Sequence, residues 1–124
     1  MITGIGTDMI EVERIAAKIS KESGFRELVF SAGEIEYCES KTKKFEHYAA
    51  RFAAKEAFLK ALGTGWAGGA ALNEIEITHD EKGKPQLNLI GRTALSLGGS
   101  GAGKISISLS HLKSIASAVV IIEK

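Results

Sequence analysis

The sequence predicts an α+β fold, with one antiparallel sheet packed against helices in a single domain spanning residues 1–124. Three observations carry this expectation. Apolar residues recur at helical spacing through the first half of the chain, as far as Leu62. Beyond Leu62 the period drops to two: Ile75 and Ile77 alternate with Glu74 and Glu76, and Ile105, Ile107 and Leu109 alternate in the same way. No internal repeat or long linker divides the 124 residues, a length that suits one domain.

Taken in order, residues 1–5 are short and apolar, and Gly4 and Gly6 flank Ile5. They read as a strand that another backbone or a ligand approaches closely. Over residues 11–20, Val12, Ile15, Ala16 and Ile19 share one helical face, while Arg14, Lys18 and Lys21 make the opposite face basic. Gly24 ends this helix, and residues 25–30 form a second short one. Ser31 with Glu34 three residues on has the form of a capping box, which opens a helix over residues 32–39. After a lysine-rich connector a long helix runs over about residues 43–62, closed by Gly63 as its C′ residue. Strands at 75–77 and 86–90 flank the turn Asp80-Glu81-Lys82-Gly83 as a hairpin. Residues 91–97 form a short helix, 98–103 a glycine-rich loop, and 105–109 a strand. Ser110-His111-Leu112-Lys113 then connects to a final apolar strand, 116–122.

Composition narrows the class of function. Net charge is +1 with a sequence pI of about 7.9, so no global field points to nucleic acid or to a membrane surface. Cys38 is the only cysteine, which excludes an intrachain disulfide and a multi-cysteine metal site, and it reads as a small apolar helix residue. No apolar run approaches the roughly 20 residues of a membrane span. Asp8, Glu11 and Glu13 arrive too early for a secretory leader, so a cytoplasmic protein is expected. His47, His79 and His111 lack close ligand spacing, and His47 and His79 are expected at the surface. Gly98–Lys104 matches the spacing of a P-loop until Ile105 stands where Ser or Thr belongs, and a strand rather than a helix follows. It reads as a loop. Trp66, among glycines, is expected to pack over the end of the long helix.

The long helix carries an anomaly. At about 100° per residue, Phe45, Tyr48, Ala49, Phe52 and Leu59 fall on one apolar stripe, and Glu56 lies near its middle. A carboxylate placed there loses hydration unless something compensates. Lys60, at i+4, supports an ion pair at the core edge. Alternatively, Glu56 faces a cleft and holds a hard cation such as Mg²⁺, which takes one or two carboxylates from protein and the rest from phosphate and water. The second carboxylate would then be Asp8, following Gly4-Ile5-Gly6-Thr7 at a strand end, although Asp at such a place also serves as a turn or N-cap residue.

Two stretches give these residues a context. Gly4-Ile5-Gly6-Thr7-Asp8-Met9-Ile10-Glu11-Val12-Glu13-Arg14 resembles the amino-terminal motif of the holo-acyl-carrier-protein synthase family. Arg51-Phe52-Ala53-Ala54-Lys55-Glu56-Ala57-Phe58-Leu59-Lys60-Ala61-Leu62-Gly63-Thr64-Gly65 resembles its second motif, and the Lys-Glu-Ala core is shared by phosphopantetheinyl transferases more widely. Gly83-Lys84-Pro85 and Ser108-Leu109-Ser110-His111 are further matches in the right order, so the resemblance spans nearly the whole chain.

The resemblance implies transfer of 4′-phosphopantetheine from coenzyme A to a serine of acyl carrier protein, with 3′,5′-ADP leaving, in support of fatty acid biosynthesis. It implies a homotrimer with coenzyme A bound between subunits. Asp8 and Glu56 match the Mg²⁺ ligands and Lys60 a residue near the pyrophosphate. Arg51 and His111, with Gly63 and Ser110, match coenzyme-binding positions, and Arg14 matches a carrier-protein contact. Phosphoryl-type transfer needs positioning and neutralisation of charge, which Mg²⁺ and Lys60 supply, while Glu56 is the first choice to accept the serine proton. The basic face of Arg14, Lys18 and Lys21 suits the acidic carrier, or is simply a solvated face. The rival expectation is a non-catalytic trimeric module that binds an acidic protein through that face.

Overall fold

The computed structural model describes residues 1–65, 69–97 and 103–124. Strand β1 (Ile2–Glu11) leads directly into α1 (Val12–Ser20), followed by α2 (Phe25–Val29), α3 (Ala32–Glu39) and the long α4 (Lys44–Leu62). A 3₁₀ turn (Leu72–Glu74) precedes the hairpin β2 (Ile75–His79) and β3 (Pro85–Leu89). Helix α5 (Gly91–Leu97) and strands β4 (Lys104–His111) and β5 (Ile115–Glu123) complete the chain. Trp66 and the P-loop-like residues 98–102 lie outside the described residues, but Lys104 does open a strand.

The α+β class holds, with one correction: the strands form two antiparallel sheets rather than one. Strands run β1-β5-β4 in the first, and β2 pairs with β3 in the second. The chain's last strand is thus central, and β1 pairs with it from Ile2↔Glu123 to Glu11↔Ile115. Strand β1 is ten residues long, twice the expected length, because its polar second half finds partners on β5. Likewise Ser110 and His111 belong to β4, paired with Ser117 and Ala116, rather than to a connector.

Helix α4 is the axis of the molecule. It packs on β1 and β5, and also meets α1, α3, β2 and β4. The apolar stripe expected for it is therefore too narrow. Ala50, Ala53, Ala54, Ala57 and Phe58 are buried as fully as Tyr48 and Leu59, and Phe45 and Phe52 only partly. Alanines let neighbours close in on several sides, which is how a helix without one dominant apolar face can sit inside a domain. Gly63 ends it at φ 81°, in the left-handed region that glycine adopts without penalty, and its N–H reaches the Leu59 and Lys60 carbonyls.

Two buried charges accompany this enclosure. Arg51 and Lys55 on α4 are both almost wholly out of solvent. Lys55 meets Glu34 of α3, the residue that also closes the capping box: Ser31 N donates to Glu34 Oε1 at 3.0 Å, and Glu34 N donates to Ser31 Oγ at 3.2 Å. Burial drives the Lys55 ammonium towards its neutral form, and the Glu34 carboxylate opposes that shift. Cys38 lies in the same region, fully buried, its thiol pushed up to about 12 by desolvation and so unreactive. No helix among the described residues is long and apolar enough to cross a membrane.

Candidate active site

The site begins with two glycines. A Cβ on Gly4 would sit on the carbonyl oxygen of Ala61, and one on Gly6 on that of Ala57. Only glycine lets β1 lie this close to α4. Asp8 is on the same face of the strand, two residues further on, and the close crossing brings it to the last turns of the helix. There Lys60 Nζ donates to the Thr7 carbonyl at 3.0 Å and to Asp8 Oδ1 at 3.1 Å. Asp8 is thus inside a strand, opposite Ala118, and neither ends the strand nor caps the helix that follows. The expected Glu56–Lys60 ion pair is also replaced: Lys60 pairs with Asp8.

Glu56, one helical turn before Lys60, is half-buried. Its carboxyl is shifted upward, first by desolvation and next by the negative charge of Asp8, with Lys60 pulling the other way. The Asp8 carboxylate therefore adds to the cost of ionising Glu56, and the Lys60 ammonium, bonded to Asp8, offsets part of it. A divalent cation held by hard oxygen donors would relieve that repulsion, so the donor set fits Mg²⁺. Among the described residues no cluster of three or more His, Cys, Asp or Glu side chains could hold a metal.

Two grooves meet these residues. One, of about 560 Å³, is lined by Asp8, Lys60 and the hydroxyls of Ser108, Ser110 and Ser117. The other, of about 470 Å³, runs from Glu56 past Phe52, Phe25 and Leu28 to Lys18. Leu28 is 72% exposed, and Lys18 Nζ lies 5.5 Å from the centre of the Phe25 ring. Arg14, Lys18 and Lys21 are all exposed, and Lys18 brings the basic face to the mouth of the Glu56 groove.

A third feature lies elsewhere on α4. Arg51 and His111 line a recess of about 200 Å³ together with Tyr37, His47, His79 and Pro85. The Arg51 guanidinium is 4.2 Å from the Tyr37 ring centre. His111 Nδ1 is 2.9 Å from Glu46 Oε1, which fixes the imidazole from behind. Arg51 and Glu56 are five residues apart, so their side chains leave the helix about 140° apart.

Of the residues singled out in sequence, the fold thus joins Asp8, Glu56 and Lys60, places Ser110 in the groove beside them, and joins Arg51 with His111. Gly63 has a visible role only in ending α4. His47 and His79 are corrected from surface residues to half-buried members of the recess. No spacing in the sequence pairs Lys55 with Glu34, 21 residues apart. The available signal was Glu34 itself, whose capping role anchors a carboxylate at a helix start.

An acidic pair beside a lysine, with a separate arginine–histidine recess, defines a class of site suited to a ligand bearing several phosphates. The chain belongs to the 4′-phosphopantetheinyl transferase superfamily, whose family model matches residues 4–112. The holo-[acyl-carrier-protein] synthase of Cytophaga hutchinsonii is 60% identical over 85 residues, 68% of this chain and 67% of that relative. The crystal structure of the Neisseria meningitidis holo-[acyl-carrier-protein] synthase matches with a TM-score of 0.90 at 35% identity, covering 100% of both chains. The Bacillus anthracis holo-(acyl-carrier-protein) synthase, solved in complex with CoA (3′,5′-ADP), matches with a TM-score of 0.81 at 34% identity, over 98% of this chain and 96% of that one.

Proposed function

We propose that residues 1–124 work as one transferase domain that moves 4′-phosphopantetheine from coenzyme A onto a serine of apo acyl carrier protein, in support of fatty acid biosynthesis. The observation that carries this reading is the Asp8–Lys60 pair where β1 crosses α4, with Glu56 one helical turn before Lys60 and its carboxyl raised by burial and then by the charge of Asp8. Asp8 and Glu56 are the residues that would hold Mg²⁺, and the bound ion supplies charge neutralisation at the pyrophosphate. Lys60, with its side chain 58% exposed, can turn its ammonium to a phosphate oxygen. Glu56, its carboxyl already shifted upward, accepts the proton of the carrier serine. The serine oxygen forms a bond to the phosphorus that bears the pantetheine arm. The bond from that phosphorus to the oxygen of 3′,5′-ADP breaks, and the nucleotide departs with the electron pair.

The roles of the other residues follow from their places. Arg51 and His111 take the nucleotide end of coenzyme A and its 3′-phosphate, and Ser110 and Gly63 lie along the path of its phosphates. Arg14, Lys18 and Lys21 receive the acidic carrier beside the apolar Glu56 groove. Because Arg51 and Glu56 leave α4 in different directions, one coenzyme A is best served by two chains. A homotrimer with the coenzyme between subunits supplies them, and the exposed Ile5 and Met9 on the outer face of β1 suit such packing. The cytoplasm is the proposed compartment, in keeping with an unpaired, buried Cys38.

Mass spectrometry tests this directly. Apo acyl carrier protein incubated with the protein, coenzyme A and Mg²⁺ should gain about 340 Da, and the gain should be lost with a chelator or with Asp8→Asn. No gain under any condition would leave a non-catalytic trimeric module.

A further inference from the structure

The recess around Arg51 holds more imidazole than a fixed phosphate site requires. His79 comes from β2, His47 from α4 and His111 from β4, and the three converge beside one guanidinium. Arg51 Nη2 lies 3.3 Å from His79 Nδ1. A guanidinium has no lone pair to offer, so His79 Nδ1 must be the acceptor and His79 is neutral in the free protein. His47 meets His111 edge-on with ring centres 5.3 Å apart, and a charge on both would repel. Arg51 itself is 1% exposed, and its Nε finds no hydrogen-bond partner among the described residues. A buried donor without a partner is uncommon, and it belongs to a guanidinium that lines the recess.

We infer that His47 and His79 are neutral in the free protein and take up protons when a phosphate monoester enters the recess, so that coenzyme A binding is linked to proton uptake. This rests on the proposed placing of the coenzyme's 3′-phosphate against Arg51 and His111. The charges facing the pair account for the switch. Burial is the first cause that disfavours a proton on either imidazole; among charges, His111 of β4 bears most on His47, and Arg51 of α4 and Lys41, beyond α3, act on both. Opposing them are Glu46 of α4, bonded to His111, and Asp80 in the turn after β2. Burial acts with the cations, and both imidazoles titrate below the ordinary histidine value. A dianion on Arg51 adds two negative charges to this balance. It also draws the guanidinium away from His79 Nδ1, which frees that nitrogen to bind a proton and donate.

Calorimetry with the wild-type protein and Mg²⁺ tests the linkage, using coenzyme A and 3′-dephospho-coenzyme A in two buffers of different ionisation enthalpy. At about pH 7.5, coenzyme A should bind with uptake of the order of one proton more than its dephospho form, and its affinity should fall roughly tenfold per pH unit for each proton taken up. Any proton linkage at the acidic pair is common to both ligands and cancels. His79→Gln and His47→Gln should each reduce the excess uptake. Equal uptake with the two ligands, or an excess unchanged in both variants, would overturn the inference while leaving the transferase reading intact. Failure of coenzyme A to bind at all would sink that reading, and the inference with it.

Discussion

Lys55 Nζ lies 2.6 Å from Glu34 Oε1, and neither side chain is reached by solvent. The other two ammonium hydrogens go to the carbonyls of Leu72 at 2.8 Å and Ile75 at 2.6 Å, while Glu34 Oε2 accepts from Ile77 N at 3.0 Å. One pair therefore ties α3 and α4 to the start of β2, one residue before Glu56. Its donors and acceptors are fully matched, the condition under which a buried pair is tolerated.

Removing one partner should be severe. Lys55→Met leaves the Glu34 carboxylate buried without its cation, and should lower unfolding free energy by about 3–5 kcal/mol in urea titrations. Adding Glu34→Gln should recover part of that loss, since the stranded charge is then gone. A Lys55→Met midpoint equal to wild type would contradict this account.

The glycine crossing makes a different prediction. Gly6→Ala drives a methyl group onto the Ala57 carbonyl, so strand and helix must separate. Overpacking of this kind should cost about 1–3 kcal/mol. The protein should remain folded by circular dichroism, yet lose turnover, because Asp8 moves off Lys60. Retention of both activity and melting temperature would show that the close approach is dispensable.

Glu56 gives a pH signature. Its native carboxyl is raised by burial and by Asp8, against the pull of Lys60, so the folded protein holds a proton that the unfolded chain has released. The group therefore contributes its full stability at low pH, and that contribution is lost as pH rises through the raised native value. In metal-free protein Glu56→Gln should melt above wild type near pH 8, with the difference closing near about pH 4. Mg²⁺ should narrow the gap at the higher pH by stabilising wild type alone. Melting curves that coincide at both pH values would remove the strain inferred at Glu56.

If Arg14, Lys18 and Lys21 receive the carrier, as proposed, charge on that face should act on one substrate only. Arg14→Glu should raise KM for acyl carrier protein about tenfold, a loss near 1.4 kcal/mol, and leave coenzyme A affinity unchanged. Equal effects on both substrates would take Arg14 out of the interface.

What was legible in the sequence was mostly local. The Ser31/Glu34 box, the Gly63 terminus, the β2–β3 hairpin and the close-packing glycines each depend on a few neighbouring residues, and each is present. Asp8, Glu56 and Lys60 were recognisable as a set, but their pairing was not. Lys60 chooses Asp8, 52 residues away, because the strand crosses the helix just there. The length of β1 depended likewise on β5 at the far end of the chain, which pairs with the polar residues that had read as loop. Helix α4 departs from the single apolar stripe of its sequence because packing on several sides buries Arg51 and Lys55 as well. The histidine recess is assembled from α4, β2 and β4, and no spacing in sequence records that convergence.

Arg51 and Glu56 leave their helix in divergent directions, which has a genetic consequence. If each centre takes its acidic pair from one polypeptide and its histidine recess from the next, differently crippled alleles should rescue one another. Asp8→Asn and His111→Ala polypeptides, inert alone, should regain about a quarter of normal output after being unfolded and reassembled in equal amounts, since random assortment in a closed ring makes one junction in four whole.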